Sequence, residues 1–473
     1  PITEIYSVNL YHNYNVNLWL IFVISDQFKF ITDGRYFTQK VFNPDSEAEQ
    51  KDYGLSTKLT HSFSEDNKID YSFYATRFKT ESEFDGSTSV FNQTLFRPEI
   101  KGQFKIRTSD LIVGIGGNFD ALERTFFDGK EQFNAQYIYG QLDTHFIKDV
   151  NLILGIRYDH FNKFESAISP KVSANYKINN WITAKGSVGM GYKVPDFRQL
   201  FFNFRNTAGG YIVLGTEVLH ELYGNLPQVA SLTRTLNPET SIGYNFGFDV
   251  KPINNVRLTV NLFRNDIKDL INTFVVGTNF PDLPNTSVFS YENRAKVFTQ
   301  GIEFDGKYKI SPNFNLTLGY QFLDTGDKEE IEKIEAGEVF FRRTTNAPSE
   351  VITLNDYYGL ANRSKHTANL KLFYKNFEHD FSLNARILYR SKYALFDTNN
   401  SGGIIDQFDQ FVSSNTQVNI AGNIKLFNIF TGQFGIDNLF NNTGIENINT
   451  AFQGLDAVLR LGRTYYARIL LNF

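Results

Sequence analysis

The chain has 473 residues, and its 47 Lys and Arg against 51 Asp and Glu give a formal net charge of -4 at pH 7. This balance lacks the basic excess of nucleic-acid-binding domains, so no nucleic-acid partner is expected. The absence of cysteine excludes a disulfide scaffold, a cysteine-based zinc site and a cysteine nucleophile. The longest apolar run, residues 18–24, is far shorter than the ~18 residues that cross a bilayer as a helix.

The aromatic content is high, with 47 Phe, 25 Tyr and 2 Trp, yet the mean hydropathy is -0.30. This combination favours a sheet that is apolar on one face and polar on the other. The chain begins at Pro1 without a Met or a charged and then apolar leader, so we expect a mature or partial chain whose signal peptide has been removed.

Strict alternation of apolar and polar residues recurs along the chain and predicts β-strands, because successive side chains of a strand point to opposite faces. In a clear case, Ile182, Val188 and Met190 share one face, whereas Thr183 and Lys185 share the other. The same alternation covers residues 256–262, 314–322, 381–389, 418–426 and 465–473. These segments are close to the ~10 residues with which a tilted strand crosses a bilayer.

The connections between these strands alternate in length, as they do in membrane barrels. Short turns are predicted at 64–68, 108–110, 148–150, 179–180, 252–255, 311–313 and 375–378. Long loops are predicted at 196–235, 323–362, 391–415 and 441–462. The sequence therefore predicts an all-β fold, a transmembrane antiparallel β-barrel of about 20 to 22 strands with short periplasmic turns and long extracellular loops.

A large soluble all-β protein, either a propeller or a chain of sandwiches, is the alternative fold. Aromatic residues at the ends of the apolar faces, such as Tyr192, Tyr389 and Phe473, favour the barrel because they match the interfacial girdle of outer-membrane proteins. No self-similar blade of the length typical of propellers is present.

Catalytic chemistry is not indicated by the sequence. The seven His are scattered, without an HExxH motif, and neither a G-x-S-x-G elbow nor a phosphate-binding loop is present. The acidic run 324–338 has the residue types of a cation site, but a solvated loop or short surface helix is favoured. We therefore expect no enzyme activity, no catalytic residues, no resident metal and no cofactor. A barrel with about 20 strands instead suits the passage of a bulky solute.

Several short motifs occur in one order along the last 280 or so residues, and each alone is weak. They are Gly-Tyr-Lys-Val-Pro at 191–195, Leu-Asn-Pro-Glu at 236–239, Asn293 with Gly-Ile-Glu at 301–303 and Tyr320, Asp-Asn-Leu-Phe-Asn at 437–441, and the terminal Phe473. Together they resemble the barrel domain of TonB-dependent outer-membrane transporters, although Val194 replaces the usual Ala of the first motif.

The resemblance implies that residues 1–473 form a receptor barrel of the Gram-negative outer membrane, in contact with lipid. It implies energised uptake of a bulky nutrient complex, namely a ferric siderophore, haem or cobalamin, and a surface lipoprotein is a candidate partner. Nothing before the first predicted strand is long enough for the plug domain through which the TonB complex acts. The plug is thus expected to be omitted, disordered, cleaved or part of another chain. A passive porin, or a structural barrel subunit of an outer-membrane assembly, is the alternative function.

The loop at 196–235 holds the candidate ligand-binding residues. In the haem-transporting branch of the family a His lies between the first two motifs, and here the only His in that interval is His220. Residues 216–223 predict a short helix with Thr216 as N-cap and Gly224 at its end. On that helix His220 is expected on the polar side, with Glu217 and Glu221.

If the cargo is haem, the resemblance implies that His220 is an axial ligand, while an ordinary solvated loop histidine is the alternative. Tyr211 and Tyr223, together with Arg198 and Arg205, are expected to line a site for a planar or anionic ligand. The other interpretation is that the aromatic residues of this loop pack it onto its neighbours.

Overall fold

The computed structural model describes residues 10–43, 46–84, 86–206, 209–278, 280–342, 347–399, 401–426, 429–443, 446–447, 457–458 and 461–471. Within these residues one sheet holds 21 strands, and three further sheets have two strands each. The predicted all-β fold with about 20 to 22 strands is therefore confirmed. Two compact units are distinguished: Pro1–Val172, Gly189–Ser241 and Asp269–Arg294 form the first, and Ser173–Val188, Ile242–Lys268 and Ala295–Phe473 form the second.

The first part of the chain is a meander of antiparallel strands. The strands are β1 (Leu10–Val23), β2 (Phe28–Asn43), β3 (Ser46–Ser62), β4 (Lys68–Phe84), β5 (Ser87–Ile106), β6 (Ser109–Arg124), β7 (Lys130–Ile147) and β8 (Val150–Phe161), and each pairs with the next. The turns predicted at 64–68, 108–110 and 148–150 lie where β3, β5 and β7 end. Arg107 and Asp149 adopt the left-handed conformation there, with φ of 56° and 60°, as tight turns require.

The rest of the chain continues in the same way, with long connections between pairs of strands. Its long strands are β9 (Ala167–Lys177), β10 (Ile182–Lys193), β13 (Glu239–Ile253), β14 (Val256–Gly277), β15 (Ser287–Lys309), β16 (Phe314–Asp327), β19 (His366–Asn376), β20 (Phe381–Arg390), β23 (Asn415–Leu426), β24 (Phe430–Asp437) and β27 (Thr464–Leu471). The short turns predicted at 179–180, 252–255, 311–313 and 375–378 are confirmed by the ends of these strands.

The long connections carry the helices and the short strands. They hold α1 (Phe197–Phe201), β11 (Asn203–Asn206), β12 (Tyr211–Leu214), α2 (Thr216–Tyr223), α3 (Pro227–Ala230), α4 (Lys328–Glu335), β17 (Phe340–Phe341), β18 (Glu350–Val351), β21 (Tyr393–Ala394), β22 (Phe411–Val412), β25 (Glu446–Asn447) and β26 (Ala457–Val458). The acidic run at 324–338 thus contains the predicted short helix. Most of the predicted loop 441–462, and the terminal Phe473, lie outside the described residues.

The strand registers place apolar side chains on one face and polar side chains on the other, as predicted. On one face Leu318 lies opposite Leu370, and Leu370 lies opposite Ile387. On the other face Thr317 lies opposite Lys371, which lies opposite Arg386. The apolar side chains remain exposed, with Leu318 at 38% and Ile387 at 39%. A soluble protein would bury such a continuous apolar face, so it fits contact with lipid.

Buried apolar side chains concentrate in the long connections. Leu214, Leu219 and Val229 form one cluster with Phe280 and Val288, all almost completely buried. A second cluster joins Ile334 of α4 to residues of the following connections, including Val339, Phe341, Ile352 and Ile404. The long connections are therefore folded structures with their own small cores. No helix among the described residues is long and apolar enough to cross a membrane.

Candidate ligand-binding site

The connection between β10 and β13, residues 194–238, begins with the short helix α1. Asp196 caps this helix by accepting a hydrogen bond from the Gln199 amide at 2.8 Å, and the Gln199 side chain accepts one from the Asp196 amide at 2.8 Å. This reciprocal arrangement is a capping box, which fixes the direction in which the chain leaves the strand. Phe197 and Leu200 are buried as a result, while Arg198 stays on the open side with its side chain 54% exposed.

The two ends of this connection are fastened by residues of the sequence motifs. Lys193 Nζ lies 2.9 Å from Glu239 Oε1, which links the first motif to the second. The Asn293 side chain accepts a hydrogen bond from the Asn237 amide at 2.7 Å and donates one to the Asn237 carbonyl at 2.9 Å. The motif residues therefore have a structural role, because their contacts hold the two ends of the connection together. In the sequence alone these residues only indicate the family resemblance.

The middle of the connection is a small hairpin. Strands β11 and β12 pair antiparallel, with Arg205 opposite Ile212, and β12 runs parallel to the start of β15, with Tyr211 opposite Ser287. The Ser290 hydroxyl donates a hydrogen bond to the Leu214 carbonyl at 2.8 Å. The hairpin is thereby held rigidly against the outer part of a long strand, which suits a binding surface.

A cavity of about 340 Å³ lies beside this hairpin. Two of the predicted site residues, Arg198 and Tyr211, line it. The other lining residues come from the segment after β6, from the C-cap of α1, from the hairpin and from long strands; they are Arg124, Phe126, Phe202, Phe204, Val213, Thr273 and Tyr291. The structure thus builds a site from four separate parts of the chain.

The cavity combines positive charge with aromatic surfaces. The Arg124 guanidinium lies 5.5 Å from the centre of the Phe126 ring and 5.1 Å from that of Phe202. The Arg198 guanidinium lies 3.7 Å from the Asp196 carboxylate, and both of these side chains are about half exposed. Because two guanidinium groups share the cavity with aromatic rings, its chemistry suits a planar, anionic ligand.

Helix α2 forms at the predicted residues, but its cap and its orientation differ from the prediction. Gly215 is the N-cap, and Thr216 is the first helical residue. Gly224 ends the helix as predicted, donating its amide to the His220 carbonyl at 3.0 Å. The buried side of the helix carries Thr216, Leu219 and Tyr223.

The sequence predicts His220 on the solvated side with Glu217 and Glu221; in the structure His220 and Glu217 are half-buried and Glu221 is exposed. Residues four apart share a helix face, so His220 lies on the same side as the buried Thr216, and its Nε2 atom is buried without a hydrogen-bond partner among the described residues. Packing of α2 onto Phe280 and Val288, which are distant in sequence, decides which side is buried. Whether His220 binds iron stays a prediction.

Tyr223 has a structural partner of its own. Its hydroxyl donates to both carboxylate oxygens of Asp282, at 3.0 and 2.9 Å. Burial and this hydrogen bond raise the pKa of Tyr223, and the nearby positive charge of Arg205 opposes that rise. Neither His220, Tyr223 nor Arg205 lines the cavity that contains Arg198 and Tyr211. Of the five predicted residues, Arg198 and Tyr211 therefore line the cavity, Tyr223 and the half-buried His220 belong to α2, and Arg205 is exposed on β11.

Sequence reasoning missed Arg124, Thr273 and Tyr291. These residues lie at or near the outer parts of β6, β14 and β15, and only the folded sheet brings them to the hairpin. Arg124 ends β6 and Tyr291 lies near the start of β15, but nothing local in the sequence distinguishes them from other residues at strand ends. Among the described residues no group of three or more His, Asp or Glu side chains is arranged to hold a metal ion.

A second cavity, of about 650 Å³, lies on the polar face of β15, β16, β19 and β20. Its lining includes Glu303, Asp305, Arg386 and Arg390. Glu303 accepts hydrogen bonds from Asn261 and Gln321, each at 3.1 Å. This face is charged and polar, in contrast to the apolar face on the other side of the same strands.

Residues 3–439 match the family model described as TonB dependent receptor-like, beta-barrel. Over 196 residues the chain is 31% identical to the "Probable TonB-dependent siderophore receptor PirA" of Acinetobacter baumannii, covering 37% of this chain and 25% of that protein. Over 311 residues it is 22% identical to the iron-regulated outer membrane virulence protein of Vibrio cholerae, covering 63% of this chain and 43% of that protein. The chain thus spans less than half the length of these relatives.

Solved structures share the fold. The ferric enterobactin receptor of Pseudomonas aeruginosa superposes with a TM-score of 0.73 at 13% identity, over 98% of this chain and 70% of that one. The siderophore receptor PirA of Acinetobacter baumannii gives 0.67 at 18% identity, over 98% and 71%. At such identities the likeness concerns the fold alone.

Proposed function

Because the chain belongs to the family of TonB-dependent receptor-like β-barrels, we propose that it carries an iron complex across the outer membrane in an energised uptake step. As a member of this family it is a transmembrane antiparallel β-barrel of the Gram-negative outer membrane, and the family consists of transporters and receptors, not enzymes. The cargo, its site and the partners of the whole protein belong to the proposal.

The observation that carries the proposal is the cavity beside the β11–β12 hairpin. It places the guanidinium groups of Arg124 and Arg198 beside the aromatic rings of Phe202, Phe204 and Tyr211. A negatively charged iron complex with planar aromatic donors matches both features, since arginine binds anions and stacks on rings. The printed names of two relatives, a "Probable TonB-dependent siderophore receptor PirA" and a "Heme/hemopexin utilization protein C", support an iron complex as cargo.

The predicted role of His220 enters the proposal as a second cargo. Neutral imidazole is a suitable axial ligand for haem iron, and the Nε2 atom of His220 has no partner among the described residues. That atom is buried, however, so haem would reach it only after α2 moves. The open cavity with two arginines therefore supports an anionic iron complex more directly than haem or cobalamin.

We propose that the whole protein is energised by the TonB complex acting on a plug domain, as the resemblance implies. A surface lipoprotein that delivers cargo to the long connections is part of the same proposal. The alternative of a passive porin, or of a structural barrel subunit, predicts no specific ligand. The alternatives differ in one measurable property, saturable binding of an iron complex.

The test is a binding titration of the full receptor in detergent, with a ferric tris-catecholate, haemin and cyanocobalamin as probes. Tryptophan and tyrosine fluorescence reports binding. The proposal expects saturable binding of the ferric catecholate that weakens about tenfold in Arg198→Ala, because a charge-assisted contact contributes about 1.5–3 kcal/mol. Arg234→Ala is the matched control, since Arg234 lies in the same connection, pairs with Glu217 at 2.8 Å and does not line the cavity.

Saturable binding of none of the three probes, together with steady ion conductance in planar bilayers, would refute the proposal in favour of a porin. If haemin binds, and this binding is lost in His220→Ala but kept in Arg198→Ala, the binding site lies at α2 and not in the cavity.

A further inference from the structure

The apolar face of β1 to β5 contains a recess of about 630 Å³. One lateral row of the sheet crosses it, in which large and small residues alternate from strand to strand. Leu18 lies opposite Gly34, Gly34 opposite Leu55, Leu55 opposite Ala75, and Ala75 opposite Phe96. The small residues form the floor of the recess, and the large ones form its walls.

The recess is open on the lipid side. Leu18, Leu55 and Phe96 are 56%, 43% and 48% exposed, so about half of each side chain is left uncovered by the described residues. A Cβ atom added to Gly34 would meet no atom within 4 Å, which shows how much space lies above the floor. Because the apolar face of the family's barrels contacts the bilayer, an acyl chain is the solute available to fill this space.

The next row outward is different, because it contains an arginine among aromatic residues. Tyr36 lies opposite Tyr53, and Tyr53 lies opposite Arg77, with the two tyrosine rings 5.1 Å apart. Arg77 is exposed, and its Nε donates to Asn92 Oδ1 at 3.0 Å. Within the described part of the chain it has no carboxylate partner within ion-pair distance. Its remaining donors are free for an anion.

The height of Arg77 matches the outer edge of the hydrocarbon layer. A tilted strand climbs roughly 2.5 Å per residue, so an apolar band about 25 Å tall takes about 10 residues. Arg77 is the tenth residue of β4, counted from Lys68 beside the short turn. With the short turns on the periplasmic side, its guanidinium lies at the level of the outer headgroups.

The row beyond Arg77 contains two lysines. Lys51 lies directly opposite Lys79 across β3 and β4, and like charges in this arrangement repel. Each lysine also contacts a glutamate of its own strand, Lys51 with Glu49 at 2.8 Å and Lys79 with Glu81 at 2.7 Å. Because these glutamates compensate the two lysines, Arg77, which has no carboxylate partner among the described residues, is the anion-binding group of this face.

We propose that this recess binds one phosphorylated lipid of the outer leaflet, with an acyl chain over Gly34 and Ala75 and a headgroup phosphate on Arg77. Arginine presents a fork of donors that matches phosphate oxygens, and the tyrosines at the same level suit the boundary between headgroups and hydrocarbon. This lipid site is separate from the proposed cargo cavity. It lies on the apolar face of the sheet, whereas the alternating polar side chains lie on the other face.

Native mass spectrometry of the full receptor, delipidated in neutral detergent, tests the proposal. The probes are a bis-phosphorylated lipid A, the same lipid without phosphates, and inorganic phosphate. We expect one tightly bound phosphorylated lipid per receptor, about tenfold weaker in Arg77→Gln and in Gly34→Leu, which fills the recess. Arg77→Lys should restore part of the affinity because it keeps the charge. Arg97→Gln is the control, since Arg97 lies next to Phe96 but on the polar face, bonded to Asn118 at 2.7 Å.

Equal binding of the phosphate-free lipid, or equal loss in Arg77→Gln and Arg97→Gln, would overturn the proposal. Full displacement of the lipid by millimolar inorganic phosphate would also overturn it, because the site would then recognise free phosphate rather than a lipid. Heat-modifiable migration on gels verifies that each variant is folded. If Gly34→Leu does not fold, the Arg77→Gln and Arg77→Lys pair decides the question.

Discussion

Lys193 and Glu239 form an ion pair in which only one partner is accessible to water. The lysine side chain is 61% exposed, whereas the glutamate side chain is 10% exposed. Glu239 also accepts the Ile271 amide at 3.3 Å. The pair therefore compensates a nearly buried carboxylate and, at the same time, ties together the two ends of the connection that carries the candidate site.

Removing the lysine should loosen that connection. In Lys193→Ala the Glu239 carboxylate loses its positive partner while remaining buried, and an uncompensated buried charge is costly. We expect about 1–3 kcal/mol of local destabilisation. Limited proteolysis of the connection 194–238 in the purified receptor measures this effect. Lys105→Ala, which breaks the exposed pair with Asp110, should leave the cleavage rate of that connection unchanged, and an equal rate in both variants contradicts the anchoring role.

The two faces of the sheet give a second prediction. Leu370 lies on the apolar face opposite Leu318 and Ile387, whereas Asn369 lies on the polar face opposite Gly319 and Leu388. Leu370→Arg should cost about 2–4 kcal/mol because it places a charge in the hydrocarbon, and Asn369→Arg should be tolerated. The fraction of heat-modifiable folded protein after refolding into lipid measures the difference. Similar losses for both variants would show that the faces are assigned wrongly.

Strand positions and faces were predictable because the alternation of period two is a local property of the sequence, readable at Ile182 or Leu316 without knowledge of neighbours. The candidate site was only partly predictable. Arg198 and Tyr211 lie in the loop that the motifs bracket, but Arg124 and Tyr291 reach the cavity through long-range pairing of strands. The burial of the His220 Nε2 atom was not predictable from the helix pattern, because α2 packs through Leu219 and Tyr223 against Phe280, which is distant in sequence.

The orientation of the barrel gives a third prediction, and the natural lack of cysteine makes it testable. Leu354, 47% exposed in a long connection, should react as Leu354→Cys with a membrane-impermeant maleimide on intact cells. Asn254→Cys, in the short turn between β13 and β14, should react only after the outer membrane is permeabilised. The reverse pattern of labelling would place the long connections in the periplasm.

The last prediction concerns pH and the helix α4. Burial raises the pKa of Glu330 from 4.5 to about 7, and the negative charge of Asp327 adds to the rise, while the hydrogen bond from Tyr357 and the charge of Lys333 oppose it. The Tyr357 hydroxyl donates to Glu330 at 2.7 Å and accepts the Asp327 amide at 2.9 Å. The folded connection therefore favours the protonated form of Glu330.

Since the folded pKa exceeds the unfolded value, this stabilisation is complete below about pH 4.5 and is lost as the pH rises through about 7. At about 1.4 kcal/mol per pKa unit the full effect is about 3 kcal/mol. Hydrogen exchange of α4, corrected for the intrinsic rate, should thus accelerate relative to the barrel strands between pH 5 and pH 8. Glu330→Gln, which stays neutral and keeps an acceptor for Tyr357, should abolish that acceleration, whereas Glu332→Gln, on the exposed side of the same helix, should preserve it. A pH profile unchanged by Glu330→Gln would show that another group governs the docking of α4.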